Sequence, residues 1–156
     1  MSTTSSIQPW PILRRGDRAH PVQTLQYLLR EHGQTISVDG IFGPETDAAV
    51  RAFQQHEGLV ADGLVGPQTW TAVIVTVWRG STGEAVRGVQ YELFDFRDLS
   101  GAPRPGQQID GIFGPKTEAA VREFQHAIAL GDPAVRVDGI VGPVTWRALV
   151  SGMLAL

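Results

Sequence analysis

Apolar residues recur at helical spacing in several stretches of the chain. The first stretch contains the stripe Val22, Leu25, Leu28 and Leu29, which would lie on one face of a helix. Pro21 suits the first turn of such a helix, and Gly33 is a natural stop after it. We therefore predict a first helix over about residues 20–32.

Two further helices are predicted to begin at prolines that follow glycines. Proline at the first helical position costs no hydrogen bond, because that N–H would have no helical acceptor. A second helix should start at Pro44 and end before Gly58, and a short third helix should start at Pro67. The third helix would place Trp70 and Val73 on one face, so both are predicted to be core residues. Together these elements predict a small unit of three helices.

The same unit occurs twice. Three ungapped alignments relate the two halves of the chain, pairing residues 14–29 with 78–93, 39–54 with 110–125, and 62–73 with 138–149. The offset grows from one alignment to the next, which indicates two loop insertions in the second copy. The sequence therefore predicts an all-α protein made of two tandem three-helix modules, residues 10–74 and 75–150.

The junction between the modules favours direct packing. Residues 70–80, WTAVIVTVWRG, contain no Gly, Pro or Ser spacer before Gly80. Exposing so many β-branched apolar side chains to water would be costly. We expect the two modules to pack against each other, with Val75, Val77 and Trp78 near the contact.

One phrase, DG followed by two apolar residues and GPxT, is written four times. These octets occupy residues 39–46, 62–69, 110–117 and 138–145. Asp-Gly is a turn signal and Gly-Pro-x-Thr is a helix start. The second octet of each module is predicted mainly to start the closing helix, which leaves two candidate binding loops instead of four.

The first octet of each module contains two adjacent apolar residues, Ile41 and Phe42 or Ile112 and Phe113, and either could face the core. Ile41 and Ile112 are predicted to be core residues, whereas the sequence leaves open whether Phe42 and Phe113 are buried or partly exposed. An exposed aromatic ring in a repeated loop would be a natural contact for a ligand.

Composition and charge narrow the possible functions. The net charge is −3, with 13 basic and 16 acidic residues mixed along the chain, so nucleic acid is not an expected partner. The chain has no cysteine, and its four histidines neither pair at metal spacing nor recur between copies. The octets lack the alternating oxygen ligands of a calcium loop. No metal, other cofactor or catalytic constellation is predicted, so the chain is not expected to be an enzyme.

No apolar run reaches the length of a membrane span, and the first residues, MSTTSSIQPWPILRRG, do not read as a Sec-type signal. These residues therefore predict neither a membrane span nor a signal peptide, and they leave the localisation open.

The strings VDGIFGPETDAAVRAFQQHEGLVADGLVGPQTW and IDGIFGPKTEAAVREFQ, with the later VDGIVGPVTW, strongly resemble the peptidoglycan-binding domain 1 family. The resemblance covers about residues 10–150. It implies non-catalytic three-helix modules that hold a cell-wall hydrolase, or a phage-tail-like or secretion assembly, on the murein of a bacterial cell wall. A protein-interaction or structural adaptor that keeps the fold without binding glycan is the alternative.

A murein site would need an apolar wall for sugar faces and polar groups for amides and carboxylates. Each candidate also has a structural interpretation: the glutamines would tie helices to loops, the tyrosines would close the edge of the core, and the arginines would be solvated. The candidate ligand-binding residues are Gln26, Tyr27, Asp39, Gly40, Ile41, Phe42 and Arg51 in the first module, and Gln90, Tyr91, Asp110, Gly111, Ile112, Phe113 and Arg122 in the second.

Overall fold

A computed structural model describes residues 6–97 and 108–154. The described part of the chain is helical. Its elements in chain order are α1 (Val22–Glu31), α2 (Pro44–His56), α3 (Pro67–Val73), α4 (Glu84–Gln90), a π-helical segment (Tyr91–Phe96), α5 (Pro115–Ala129) and α6 (Pro143–Val150). Helices α1–α3 form the first module, and the elements from α4 to α6 form the second. The all-α prediction is confirmed.

Four of these helices begin at the proline of an octet. Helices α2, α3, α5 and α6 all have Pro at the first helical position, after a glycine in an extended conformation. The predicted helix starts are therefore correct, because they depend on local chemistry at each terminus. Helix α5 is two residues longer than α2, so part of the second insertion extends the helix. The first insertion, which falls between Leu93 and Asp110, lies largely outside the described residues.

Each module has a tryptophan at the centre of its core. Trp70 and Trp146 are fully buried, as predicted. The indole N–H of Trp70 donates to the carbonyl of Pro11 at 2.7 Å, and that of Trp146 donates to the carbonyl of Val75 at 2.8 Å. Each tryptophan thus ties the closing helix of its module to the segment that precedes the first helix.

The strap is defined as the segment shortly after each of these carbonyls, residues 13–18 in the first module and 77–82 in the second. It runs antiparallel to both octets of its own module through isolated β-bridges. The bridges pair Leu13 with Val65, Arg18 with Ile41, Val77 with Val141, and Thr82 with Ile112. The strap therefore connects the two octet loops of each module side by side.

The two modules pack through their first helices, which run antiparallel. Thr24 and Tyr27 of α1 lie against Gly88 of α4, where an added Cβ would be 3.5 Å from the Tyr27 Cβ. Gly88 therefore allows a close approach of the two helices. The predicted packing is confirmed in outline, since the modules contact each other.

The prediction that Val75, Val77 and Trp78 lie near that contact is not confirmed. Val77 pairs with Val141 and the Val75 carbonyl accepts from Trp146, so both belong to the second module's own structure. Trp78 is 53% exposed. The last part of the apolar junction, residues 77–80, belongs to the strap of the second module. The sequence pattern does not distinguish a segment that pairs within its own module from one that packs against the other module.

A buried ionic cluster also crosses the module contact. Glu92, fully buried, accepts hydrogen bonds from His20 and Thr24 of the first module. Arg97 of the second module donates to the same carboxylate at 2.7 Å and to the carbonyls of Leu149 and Met153. This cluster fixes the end of α1 nearest its N-terminus against the π-helical segment.

Candidate functional site

Each octet loop is organised by a buried glutamine from the preceding helix. Nε2 of Gln26 lies 2.9 Å from the Asp39 carboxylate, 3.1 Å from the Ile41 carbonyl and 3.0 Å from the Thr46 hydroxyl. Its Oε1 accepts from the backbone N–H groups of Asp39 and Gly40. One side chain therefore holds the turn and the helix start together.

This arrangement occurs four times. The glutamines are each at most 1% exposed, and each bonds the Asp, the Gly N–H, the first apolar carbonyl and the Thr of one octet. The four sets are Gln26 with residues 39–46, Gln54 with 62–69, Gln90 with 110–117, and Gln125 with 138–145. All four octets thus have the same bonds to a buried glutamine. The prediction that the second octet of each module mainly starts a helix missed this shared loop structure.

The prediction that Ile41 and Ile112 are core residues is wrong. Ile41 is 41% exposed and Ile112 57% exposed, whereas Phe42 and Phe113 are at most 1% exposed. The strap explains this arrangement: Ile41 is bridged to the exposed Arg18 and shares its outward side, so the side chain of the next residue, Phe42, points inward. Phe42 and Phe113 therefore present no ring to a ligand, and the isoleucines form the tips.

The octet carboxylates stabilise their own loops. Asp39 accepts a hydrogen bond from the Ile41 backbone N–H and, through the same oxygen, one from Gln26, and these interactions lower its pKa. The corresponding bonds from Ile112 and Gln90 lower the pKa of Asp110. These aspartates are therefore ionised at neutral pH and hold the turn.

The octet glycines adopt a conformation that other residues avoid. Gly40 has φ +74° and Gly111 has φ +76°, and a Cβ at Gly40 would lie 2.6 Å from the Gln23 side chain. Both glycines are buried, so their role in the described structure is to shape the loop.

The predicted tyrosines lie at the contact between modules. Tyr27 and Tyr91 are 6.4 Å apart between ring centroids and tilted by 45°. Burial raises the pKa of Tyr27, and burial together with the nearby Glu92 also raises that of Tyr91.

The predicted arginines lie beside the second octet of each module, not the first. Arg51 donates to the Ala61 carbonyl and bonds Asp47 at 3.2 Å. Arg122 donates to the Val137 carbonyl at 3.2 Å. Arg87, which sequence reasoning missed, donates to the Ile109 carbonyl in the same way. The sequence contains a signal for all three arginines, since each precedes by three residues a glutamine that organises an octet.

Two grooves lie at the second octets. They occupy equivalent positions in the two modules, with volumes of about 260 Å³ and 280 Å³. Their walls are mainly apolar, with an exposed tip, Leu64 or Ile140, on each. The first groove is also lined by Ile12, Leu59, Val60, Pro67 and Gln68, and the second by Ala134, Val135, Arg136, Pro143 and Val144.

Within residues 6–97 and 108–154, no group of three or more His, Cys, Asp or Glu side chains is placed to hold a metal ion. Over the same residues, no helix has both the length and the apolar character needed to cross a membrane.

A model of the "putative peptidoglycan binding domain" family matches residues 18–73 and 82–149, one match for each module. The chain belongs to this family. The two matches together span most of the sequence, so the resemblance inferred from the octets is confirmed.

Two curated relatives are longer than this chain and match it over part of their length. An N-acetylmuramoyl-L-alanine amidase, CwlM, of Mycobacterium tuberculosis is 31% identical over 142 residues, covering 76% of this chain and 33% of the relative. A zinc D-Ala-D-Ala carboxypeptidase of Streptomyces albus G is 39% identical over 64 residues, covering 39% of this chain and 25% of the relative. The chain therefore spans a quarter to a third of these proteins.

Solved structures show similarity over shorter spans. A peptidoglycan-binding protein from Clostridioides difficile, solved with glutamine hydroxamate, is 36% identical over 40% of each chain, with a TM-score of 0.40. The Burkholderia AP3 phage endolysin is 45% identical over 41% of this chain and 25% of that one, with a TM-score of 0.41.

Proposed function

We propose that this protein binds bacterial peptidoglycan without cleaving it and holds a partner enzyme or assembly on the cell wall. The family match to both modules is the observation that carries the proposal. The names of the relatives, an amidase and a carboxypeptidase, fit a partner that acts on the same polymer. Two equivalent modules in one chain also suit a ligand that is itself a repeating polymer.

The paired grooves at the second octets are the proposed contact surface. Their exposed apolar tips offer surface for sugar faces and acetyl groups, and loop carbonyl and amide groups lie nearby. Because the modules pack through α1 and α4, both grooves are held in a fixed relation. A ligand long enough to reach both would bind more tightly than either groove binds alone.

The test is sedimentation of the purified chain with peptidoglycan sacculi. Replacing Leu64 and Ile140 by Ser should weaken sedimentation strongly, because both tips line the grooves. Both side chains are about 40% exposed, so the folding transition should change little.

The matched control replaces the tips of the first octets, Ile41 and Ile112, by Ser. These residues have the same loop geometry and similar exposure, and this variant should sediment like the wild type. If the wild type fails to sediment at any ionic strength, the proposal is wrong and the adaptor alternative gains support. If only the first-octet variant loses binding, the site lies at the first octets.

A further inference from the structure

The four octet tips have different neighbours on the strap. In an antiparallel bridge the residues next to the bridged pair also lie opposite each other. The bridge between Leu13 and Val65 therefore sets Arg14 opposite Leu64, and the bridge between Val77 and Val141 sets Trp78 opposite Ile140. The tips of the first octets are themselves bridged, to Arg18 and Thr82. An aromatic side chain thus stands beside one tip of the four.

The backbone around Trp78 is the same as that around Arg14. The N–H of Arg14 donates to the Asp17 carboxylate at 2.9 Å, and the N–H of Trp78 donates to the Ser81 hydroxyl at 3.1 Å. In both turns the N–H of the later residue returns to the carbonyl of the earlier one. The two turns therefore share one backbone arrangement and differ in their side chains, so the two grooves have chemically different rims.

The exposure of Trp78 distinguishes it from the other tryptophans of the chain, all of which lie within the described residues. Trp70 and Trp146 are fully buried, and Trp10 is half-buried with its ring stacked on Trp70 at 5.9 Å. Trp78 is 53% exposed and has no core role that would explain a large aromatic residue there. The strap bridge sets it opposite Ile140, the exposed tip that lines the second groove.

We propose that a sugar ring of the glycan strand stacks on Trp78, so that the second module binds the glycan strand of peptidoglycan and not its stem peptide. The inference rests on the proposed function and specifies which part of peptidoglycan this groove contacts. A flat apolar ring fits the C–H face of a pyranose, and its N–H can bond a hydroxyl or acetyl oxygen. A charged stem peptide would gain little from that ring. The first module, with Arg14 in the equivalent place, lacks this ring.

The experiment uses the intact chain with two soluble probes: glycan strands stripped of stem peptide, and free stem peptide. Binding of glycan should change the fluorescence emission of Trp78, because this ring is exposed. The emission of the Trp78→Ala variant should not change on addition of glycan, because its remaining tryptophans are buried or stacked. Trp78→Ala should weaken glycan binding about tenfold, Trp78→Tyr should keep most of it, and Arg14→Ala should change it little.

Sedimentation with sacculi is measured in parallel to separate the two proposals. If the wild type does not sediment, the proposed function fails, and this inference fails with it. If the wild type sediments but Trp78→Ala binds glycan equally well, only the role of Trp78 is overturned. Binding of free stem peptide that depends on Trp78 also overturns the glycan assignment. An unchanged folding transition in Trp78→Ala confirms that a loss of binding is not a loss of fold.

Discussion

The ionic cluster at the module contact makes a quantitative prediction for the change Glu92→Gln. The wild-type carboxylate is fully buried, and Arg97, 8% exposed, lies 2.7 Å from it. The amide keeps the shape of the side chain and removes its charge, so the Arg97 guanidinium loses its counter-charge. Removing one partner of a buried ion pair typically costs about 3 to 5 kcal/mol. Arg97 retains three carbonyl acceptors, so we expect the lower value, about 3 kcal/mol.

Urea unfolding at neutral pH measures this cost. With a slope of about 2 kcal/mol per molar urea, a loss of about 3 kcal/mol moves the midpoint down by about 1.5 M. The matched control is Glu84→Gln, which removes a carboxylate that pairs with Arg30 across the same helix contact. Those side chains are 25% and 40% exposed, so this change should cost less than about 1 kcal/mol.

A double-mutant cycle identifies the partner. If Glu92 and Arg97 act as one pair, Arg97→Met should cost much less in the Glu92→Gln background than in the wild type. Equal costs for Glu92→Gln and Glu84→Gln would refute the reasoning, because burial would then have no effect on the value of the pair.

Two further predictions concern the octets. Phe42→Ala should destabilise the protein by about 3 to 5 kcal/mol because it empties a buried site, whereas Ile41→Ala should cost less than about 1 kcal/mol. Similar costs for the two in urea unfolding would contradict the burial pattern. Because the folded-state pKa of Asp39 is lowered, its stabilisation is present above its ordinary value of 3.8 and is lost as the pH falls through the folded value. The urea midpoint of Asp39→Asn should therefore approach that of the wild type at low pH, and a difference that does not change with pH would contradict this.

The helices could be predicted from the sequence because their signals are local. A proline after a glycine marks the start of α2, α3, α5 and α6 without reference to the rest of the molecule. The apolar stripe of α1 is also local, and its predicted span differs from the observed one by two residues at the start and one at the end. The second module could be predicted because its sequence repeats that of the first.

The candidate site was harder to predict because it depends on contacts between distant segments. Either residue of the pair Ile41 and Phe42 is apolar enough for the core, and the strap decides between them by bonding one face of the loop. The module contact depends on Gly88, whose missing side chain matters only when α1 is placed against it. A pattern of apolar residues along one segment contains neither fact.

The fourfold phrase therefore serves mainly as a scaffold, and its differences carry the functional information. In every octet the Asp, Gly and Thr bond that octet's own buried glutamine and the Pro starts its own helix, so all four are needed whether or not a ligand binds. Side chains outside this scaffold include the exposed tip and its neighbour on the strap. Those positions hold Arg14 beside Leu64 and Trp78 beside Ile140. Two modules with one frame and different rims are suited to contact different parts of one polymer, which is why Trp78 and Arg14 form the decisive pair of variants.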